Sequence, residues 1–274
     1  MTTTLFPSAT AGVVSIEDDR GGRVTFGPDP FDSDALGLQI GRVRSLEAAS
    51  AADCHALLTR LADRATQDQY QQIVCRANLE TLTDVWGLER AGFELMDAGI
   101  TFARAMDGPL DAPSWPDLTV RPSTDADVAA IVSGMVGDPW GSRYEADPAY
   151  DPARVRELRT RWLWNSHRGR ADVMLVGVVD GRPAGYVTCR LDRATGHSDI
   201  ELVGTLPAFR GRRVAVRVIA HALSWLSTRS TLVTVRTQAT NVAAAGLYER
   251  AGFTLRSSDL TYRLTLGPTG RNPL

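Results

Sequence analysis

The chain has 274 residues, 43% hydrophobic and 23% charged, with 24 glycines and 14 prolines; this ordinary globular composition excludes collagen-like, disordered and mucin-like chains. That length suits two compact domains. Lys and Arg (30) nearly balance Asp and Glu (32), leaving a net charge of -2, so no global positive field draws the chain to nucleic acid or anionic lipid. Any anion site has to be local.

Cys54, Cys75 and Cys189 are too few and too scattered for a disulfide framework or a cysteine zinc site, and read as small buried hydrophobes of a reducing compartment. The opening MTTTLFPSATAGVV has no basic n-region. The longest apolar run, Val173 to Val179, is far short of a membrane span, so a soluble, cytoplasmic chain is expected.

Residues 1 to about 35 read as irregular, with at most two short strands between the turn EDDRGGR and the breaker-rich GPDPFDSD. LGLQIGRV (36–43) reads as a strand. Leu46, Ala49, Leu57, Leu58 and Leu61 share one face of a helix predicted over 46–64. A strand follows at 70–77, then a helix over 79–91 capped by Asn78 and ended by Gly92, and a strand over 93–105. MDGPLDAPSWPD (106–117), with three prolines, is the best linker in the chain.

Beyond it come a strand at 118–121, a helix opened by a capping box of Thr124 and Asp127, a loop over 137–150 and a helix from Pro152 to His167. Strands 171–179 and 182–190 are joined by the hairpin pair Asp180-Gly181, and a turn at 193–198 returns the chain as strand 199–206. Helix 212–227, strand 231–237, helix 241–250 and strand 253–264 complete a mixed α/β pattern.

Glu89-Arg90-Ala91-Gly92-Phe93 recurs as Glu249-Arg250-Ala251-Gly252-Phe253, an offset of 160 residues that also matches Leu95 with Leu255, Thr101 with Thr261 and Phe102 with Tyr262. Each copy joins a helix to a strand in the same way, which favours duplication.

The segment 202–226 is a strand, an arginine- and glycine-bearing turn and a helix. Backbone N–H groups at such a turn, with the partial positive charge of a helix start, suit a diphosphate. Arg210, Arg212 and Arg213 add local charge; a solvated basic loop is the plain alternative. No Gly-Lys-Ser or Gly-Lys-Thr follows, so this is not a P-loop, and the spaced glycines of a dinucleotide fingerprint are missing.

Arg210-Gly211-Arg212-Arg213-Val214-Ala215, followed across a strand by Asn241-Val242-Ala243-Ala244-Ala245-Gly246-Leu247-Tyr248-Glu249-Arg250-Ala251-Gly252-Phe253, resembles the paired motifs of the Gcn5-related N-acetyltransferase (GNAT) superfamily over residues 118–265. Within it the chain is most similar to the TDP-fucosamine (dTDP-4-amino-4,6-dideoxygalactose) acetyltransferase group, through residues 31–44 and the insert 138–169. The resemblance implies tandem mixed sheets: a degenerate GNAT-like domain at 1–110, a linker at 111–117 and a complete GNAT domain at 118–274. It implies an acetyltransferase with acetyl-CoA as donor and a small primary amine as acceptor, on a nucleotide-linked amino sugar.

By that resemblance Leu202, Val203 and Thr205 hold the pantetheine arm, residues 210–215 the diphosphate, and Tyr248 lies beside the sulfur. Tyrosine suits a proton donor there, since its pKa of about 10 keeps it protonated while a thiolate of about 8.5 accepts the proton. Leu88 stands in its place in the first copy, so only the second is expected to be competent. Asn241 caps the next helix and is a second cofactor candidate. Glu201 is the candidate base, ahead of Asp199 and His197. Trp140, Arg143, Tyr144 and His167 are the candidate acceptor contacts, with Trp162 and Trp164 nearby. Histidines 55, 167, 197 and 221 are scattered, so no metal site is expected.

The motif departs at Arg213, which stands where the family has glycine. A side chain there either crowds a diphosphate or pairs with it. A non-catalytic acyl-CoA-binding module is the alternative that Arg213 raises, and a peptide N-terminal acetyltransferase is the nearest enzymatic rival. The expected partner is a small molecule, without nucleic acid or membrane, and strand 253–264 is a candidate for pairing two copies into a homodimer.

Overall fold

The computed structural model describes residues 12–138, 141–267 and 270–271. They form two compact units, the described residues within 12–99, 143–155 and 257–271 in the first and those within 100–142 and 156–256 in the second. Each has its own hydrophobic core, around Phe26, Leu58, Leu61, Ile73 and Leu88 in the first and Val176, Val187, Ile200, Val218 and Leu226 in the second.

In the first unit, β1 (Val14–Glu17) and β2 (Arg23–Pro28) form a hairpin around the turn at Asp18. The sequence reading missed α1 (Pro30–Leu36), a short helix that Asp29 caps and Gly37 ends with a left-handed backbone, φ 72°. β3 (Ile40–Glu47) runs through Leu46, so the predicted helix starts late: α2 (Ala51–Gln67) opens where Ser50 accepts from Asp53 N. β4 (Gln72–Asn78) and α3 (Leu82–Arg90) follow, and Asn78 bonds Glu80 N at the strand end rather than capping the helix. β5 (Glu94–Ala105) starts in the first unit and ends in the second.

In the second unit come β6 (Thr119–Pro122) and α4 (Asp125–Gly134), with its capping box of Thr124 and Asp127 formed. α5 (Arg143–Ala146) belongs to the first unit, and α6 (Pro152–Asn165) leads back to the second. Then follow β7 (Val173–Val179), β8 (Arg182–Asp192), β9 (His197–Thr205), α7 (Val214–Ser227), β10 (Leu232–Gln238) and α8 (Val242–Arg250), and β11 (Thr254–Gly267) passes back into the first unit after Arg256. The strand order is β1-β2-β3-β4-β11 in the first unit and β5-β10-β9-β8-β7-β6 in the second.

The units divide at residues 99/100, 142/143, 155/156 and 256/257, and β11 pairs antiparallel with β4 from Asp259 opposite Asn78 to Thr265 opposite Gln72. The supposed linker is irregular but bonded along α7: Ser227 Oγ accepts from Leu110 N at 2.9 Å, Arg217 holds Asp117 at 2.8 Å, and the rings of Trp115 and His221 lie 5.5 Å apart.

The repeat is visible in the elements. β4 (72–78) and β10 (232–238), and α3 (82–90) and α8 (242–250), stand at the same offset as the motif. β3 pairs parallel with β4, and β9 with β10, and each pairing stops while both its strands continue.

Candidate active site

The centre of the second unit is set by where hydrogen bonding ends. β9 and β10 pair in parallel from His197 opposite Leu232 to Ile200 opposite Val235, yet β9 continues to Thr205 and β10 to Gln238. Past Ile200 the β9 edge facing β10 has no strand partner among the described residues, while its other edge stays bonded to β8 through Leu202, Val203, Gly204 and Thr205. The open edge of an extended segment is a template for a further extended chain. Leu202, Val203 and Thr205 lie along this open edge.

Glu201 sits where these pairings change. Leu202 faces Thr188 and Ile200 faces Cys189, so Glu201 is the extra residue of a β-bulge, a device that re-aims a side chain. Arg170 holds its carboxylate at 3.2 Å and Arg190 at 3.8 Å. Burial nevertheless outweighs the two guanidinium groups and raises its pKa above the usual carboxylate value. Asp199, two residues earlier, accepts from the Thr234 hydroxyl.

At the far end of β9 the chain turns through Pro207–Phe209 into α7. Gly211 (φ 79°) and Arg213 (φ 56°, ψ 26°) both take left-handed backbone, so Arg213 adopts the conformation that glycine takes more easily. The first helical bond runs from Arg217 N to Arg213 O, and no side chain caps α7. The N–H groups of Val214, Ala215 and Val216 are thus left without helical acceptors, which suits an anion. The three arginines do not converge as expected: Arg210 pairs with Asp138 at 2.5 Å, Arg212 lies 5.7 Å from the Phe209 ring, and Arg213 is exposed. A tertiary partner already holds the first; Arg212 and Arg213 are exposed. Asn241 accepts from Ala244 N at 3.1 Å, the plain capping role.

Tyr248, on α8, is 5% exposed, between Phe102 and Phe253 at ring distances of 5.9 and 6.0 Å. Burial alone pushes its phenol up to about 12. In the first unit Leu88 takes this place, and the bulge residue of β3 is Arg44, between Thr25 opposite Ser45 and Phe26 opposite Val43. Neither can do acid-base work near neutral pH.

The helices differ as well. α2 and α3 pack closely, and a Cβ on Gly87 would stand 2.2 Å from Cys54 Sγ. α7 and α8 are not packed against each other in this way among the described residues. Ser50 and Asp53 cap α2, so an acid already lies at the helix start where an anion would bind.

The expected acceptor contacts fall in both units. Tyr144 is buried in the first unit, its hydroxyl donating to Asp32 at 2.7 Å and receiving a bond from Arg143. His167 belongs to the second unit, with both ring nitrogens engaged, Nδ1 2.8 Å from Ser123 Oγ and Nε2 2.7 Å from Asp125. Trp140 lies outside the described residues. Sequence reasoning had not seen Arg170 and Arg190 beside Glu201, since register with β8 brings Arg190 there.

Residues 138–253 match the acetyltransferase (GNAT) family. Proteins of that family characteristically take acetyl-CoA as acyl donor. It is 31% identical over 155 residues to the spore coat polysaccharide biosynthesis protein SpsD of Bacillus subtilis, a match covering 56% of this chain and 52% of that protein, so it spans about half the length of that relative. The fold resembles a GCN5-related N-acetyltransferase from Sphaerobacter thermophilus (TM-score 0.67, 16% identity, 93% of this chain and 80% of that chain). It also resembles a tandem GNAT protein from the clavulanic acid biosynthesis pathway (TM-score 0.61, 15% identity, 90% and 79%). No described helix is long and apolar enough to cross a membrane.

Proposed function

We propose that this chain is a cytoplasmic acetyl-CoA-dependent N-acetyltransferase of tandem architecture, whose second unit acetylates a small primary amine on a nucleotide-linked sugar. The observation that carries this reading is the end of β9–β10 pairing at Ile200 and Val235, with the Glu201 bulge and Tyr248 in the same unit. The residues fit the donor: an open strand edge for the pantetheine arm and uncapped α7 N–H groups for the diphosphate. Acetyl-CoA supplies the activated thioester. Glu201, its pKa raised, takes the proton from the ammonium, and Tyr248, protonated at any physiological pH, donates to the departing thiolate.

The matching positions of the first unit, Leu88 and Arg44, with the close α2–α3 contact, support a partial copy that does no chemistry. The left-handed backbone of Arg213 keeps the turn that glycine would make, which favours binding over a lost site. The part that SpsD plays in polysaccharide biosynthesis supports a carbohydrate amine rather than a peptide N-terminus. The test follows thiol release from acetyl-CoA with a panel of nucleotide-linked amino sugars and N-terminal peptides, beside calorimetry with acetyl-CoA. One bound acetyl-CoA per chain and turnover with an amino sugar are expected. Turnover only with peptides overturns the acceptor class, two bound equivalents overturn the closed first unit, and binding without turnover favours a sensor.

A further inference from the structure

Two guanidinium groups meet at Glu201, and the backbone fixes where both come from. Past α6 the chain turns at Gly169, φ 105°, and Arg170 follows. Two residues on, Asp172 N donates to the Cys189 carbonyl at 2.9 Å, and the Asp172 carboxylate accepts from Leu191 N at 2.7 Å. Those bonds grip β8 on either side of Arg190, so the placing of Arg170 beside Arg190 does not depend on the carboxylate they share. All of these residues belong to the second unit.

Both contacts fall on one oxygen. Arg170 Nη2 is 3.2 Å and Arg190 Nη1 3.8 Å from Glu201 Oε1, while Oε2 has no hydrogen bond or ion pair among the described residues. The side chain is 17% exposed, so the carboxylate is not sealed from solvent. The other ionisable groups facing it are Cys189 on β8 and Asp199, two residues back on β9. Asp199 takes the Thr234 hydroxyl of β10, which carries Arg236 beyond its last paired residue, Val235. Burial and Asp199 oppose ionisation of Glu201, and the two guanidinium groups favour it.

We infer that Arg170 and Arg190 are positioning residues of the proton transfer: they hold Glu201 by Oε1, keep its charge in a partly buried place, and leave Oε2 to take the proton of the acceptor's ammonium group. The inference rests on the proposed reading of Glu201 as the base. The proton passes from nitrogen to Oε2, the nitrogen keeps the electron pair that attacks the thioester carbon, and the carboxylic acid later returns the proton to water. A buried carboxyl without such neighbours stays protonated toward neutral pH and has no room for that proton.

An NMR titration of the glutamate carboxyls reads the charge effect on the protein alone, with Glu201→Gln identifying the Glu201 signal by its loss. Arg170→Gln should move the Glu201 midpoint up by about one pH unit, the low end of what an opposite charge within about 6 Å produces, and Arg170→Lys should restore most of it. Arg190→Gln, the second variant should the first not fold, should move it the same way by less, because its contact is longer. With a nucleotide-linked amino sugar that the panel turns over, kcat/KM on the acid limb should fall about tenfold in Arg170→Gln as the limb moves by that unit. A midpoint unmoved in both variants, or a rate loss equal at every pH, overturns the assignment of the two arginines while leaving the acetyltransferase reading intact. A Glu201→Gln chain that keeps the wild-type acid limb overturns Glu201 as the base and the inference with it.

Discussion

Replacing Tyr248 with phenylalanine separates chemistry from packing. The phenol, pushed up to about 12, is ionised in about one molecule in 10⁴ at pH 8, so the proposed donor keeps its proton throughout the working range. The ring packs between Phe102 and Phe253, contacts that phenylalanine keeps, and the hydroxyl makes no hydrogen bond among the described residues. Stability should therefore change by less than about 1 kcal/mol, since only a buried hydroxyl without a protein partner is lost. Loss of a general acid costs about 10²-fold or more in kcat, or about 2.7 kcal/mol of transition-state stabilisation. Thiol release at saturating acetyl-CoA and amine gives kcat, and calorimetry gives acetyl-CoA affinity, which should not move. A kcat within threefold of wild type refutes the proton-donor assignment. So does a rate loss that merely follows the unfolded fraction.

Glu201→Gln should lower kcat/KM about 10²-fold, and the wild-type rate profile should lose activity toward acid with an apparent pKa above 4.5. Because folding raises this carboxyl's pKa, its contribution is fully present below 4.5 and is lost as pH rises through the folded value; denaturant titrations of the glutamine variant should lose that slope. Gly87→Ala should cost about 2 kcal/mol, because the clash with Cys54 Sγ outweighs the roughly 1 kcal/mol gained in helix propensity. A raised melting temperature would refute that helix contact. Asp127, held near pKa 2 by the Arg121 fork, stabilises α4 above about pH 3.8, so Asp127→Asn should cost about 1–2 kcal/mol at pH 7, an effect lost as pH falls through 2.

Local signals carried much of this fold. The Asp180-Gly181 hairpin, the Thr124 capping box and the Asn241 cap need only near neighbours, and each stands where its residues indicate. α1 was legible too, in Asp29, Pro30 and Gly37, but seven residues among turn formers read as a loop. Leu46 kept a helical spacing by coincidence, and pairing with Val24 made it a strand residue. The site was legible as a motif and not as geometry. The bulge at Glu201 and the end of pairing at Ile200 are register effects imposed by β8 and β10. Only the folded chain shows that Arg210 belongs to Asp138, or that Tyr144 is spent on Asp32.

β11 carries a consequence for synthesis. Residues 72–78 emerge from the ribosome nearly two hundred residues before their partners at 259–265. Until those arrive, β4 presents an open edge beside a half-built core, the kind of exposed strand that invites wrong pairing. The first unit to be made is thus among the last to close. A substitution that slows production of the C-terminal strand would lower the yield of the N-terminal unit, leaving the chemistry of finished molecules untouched.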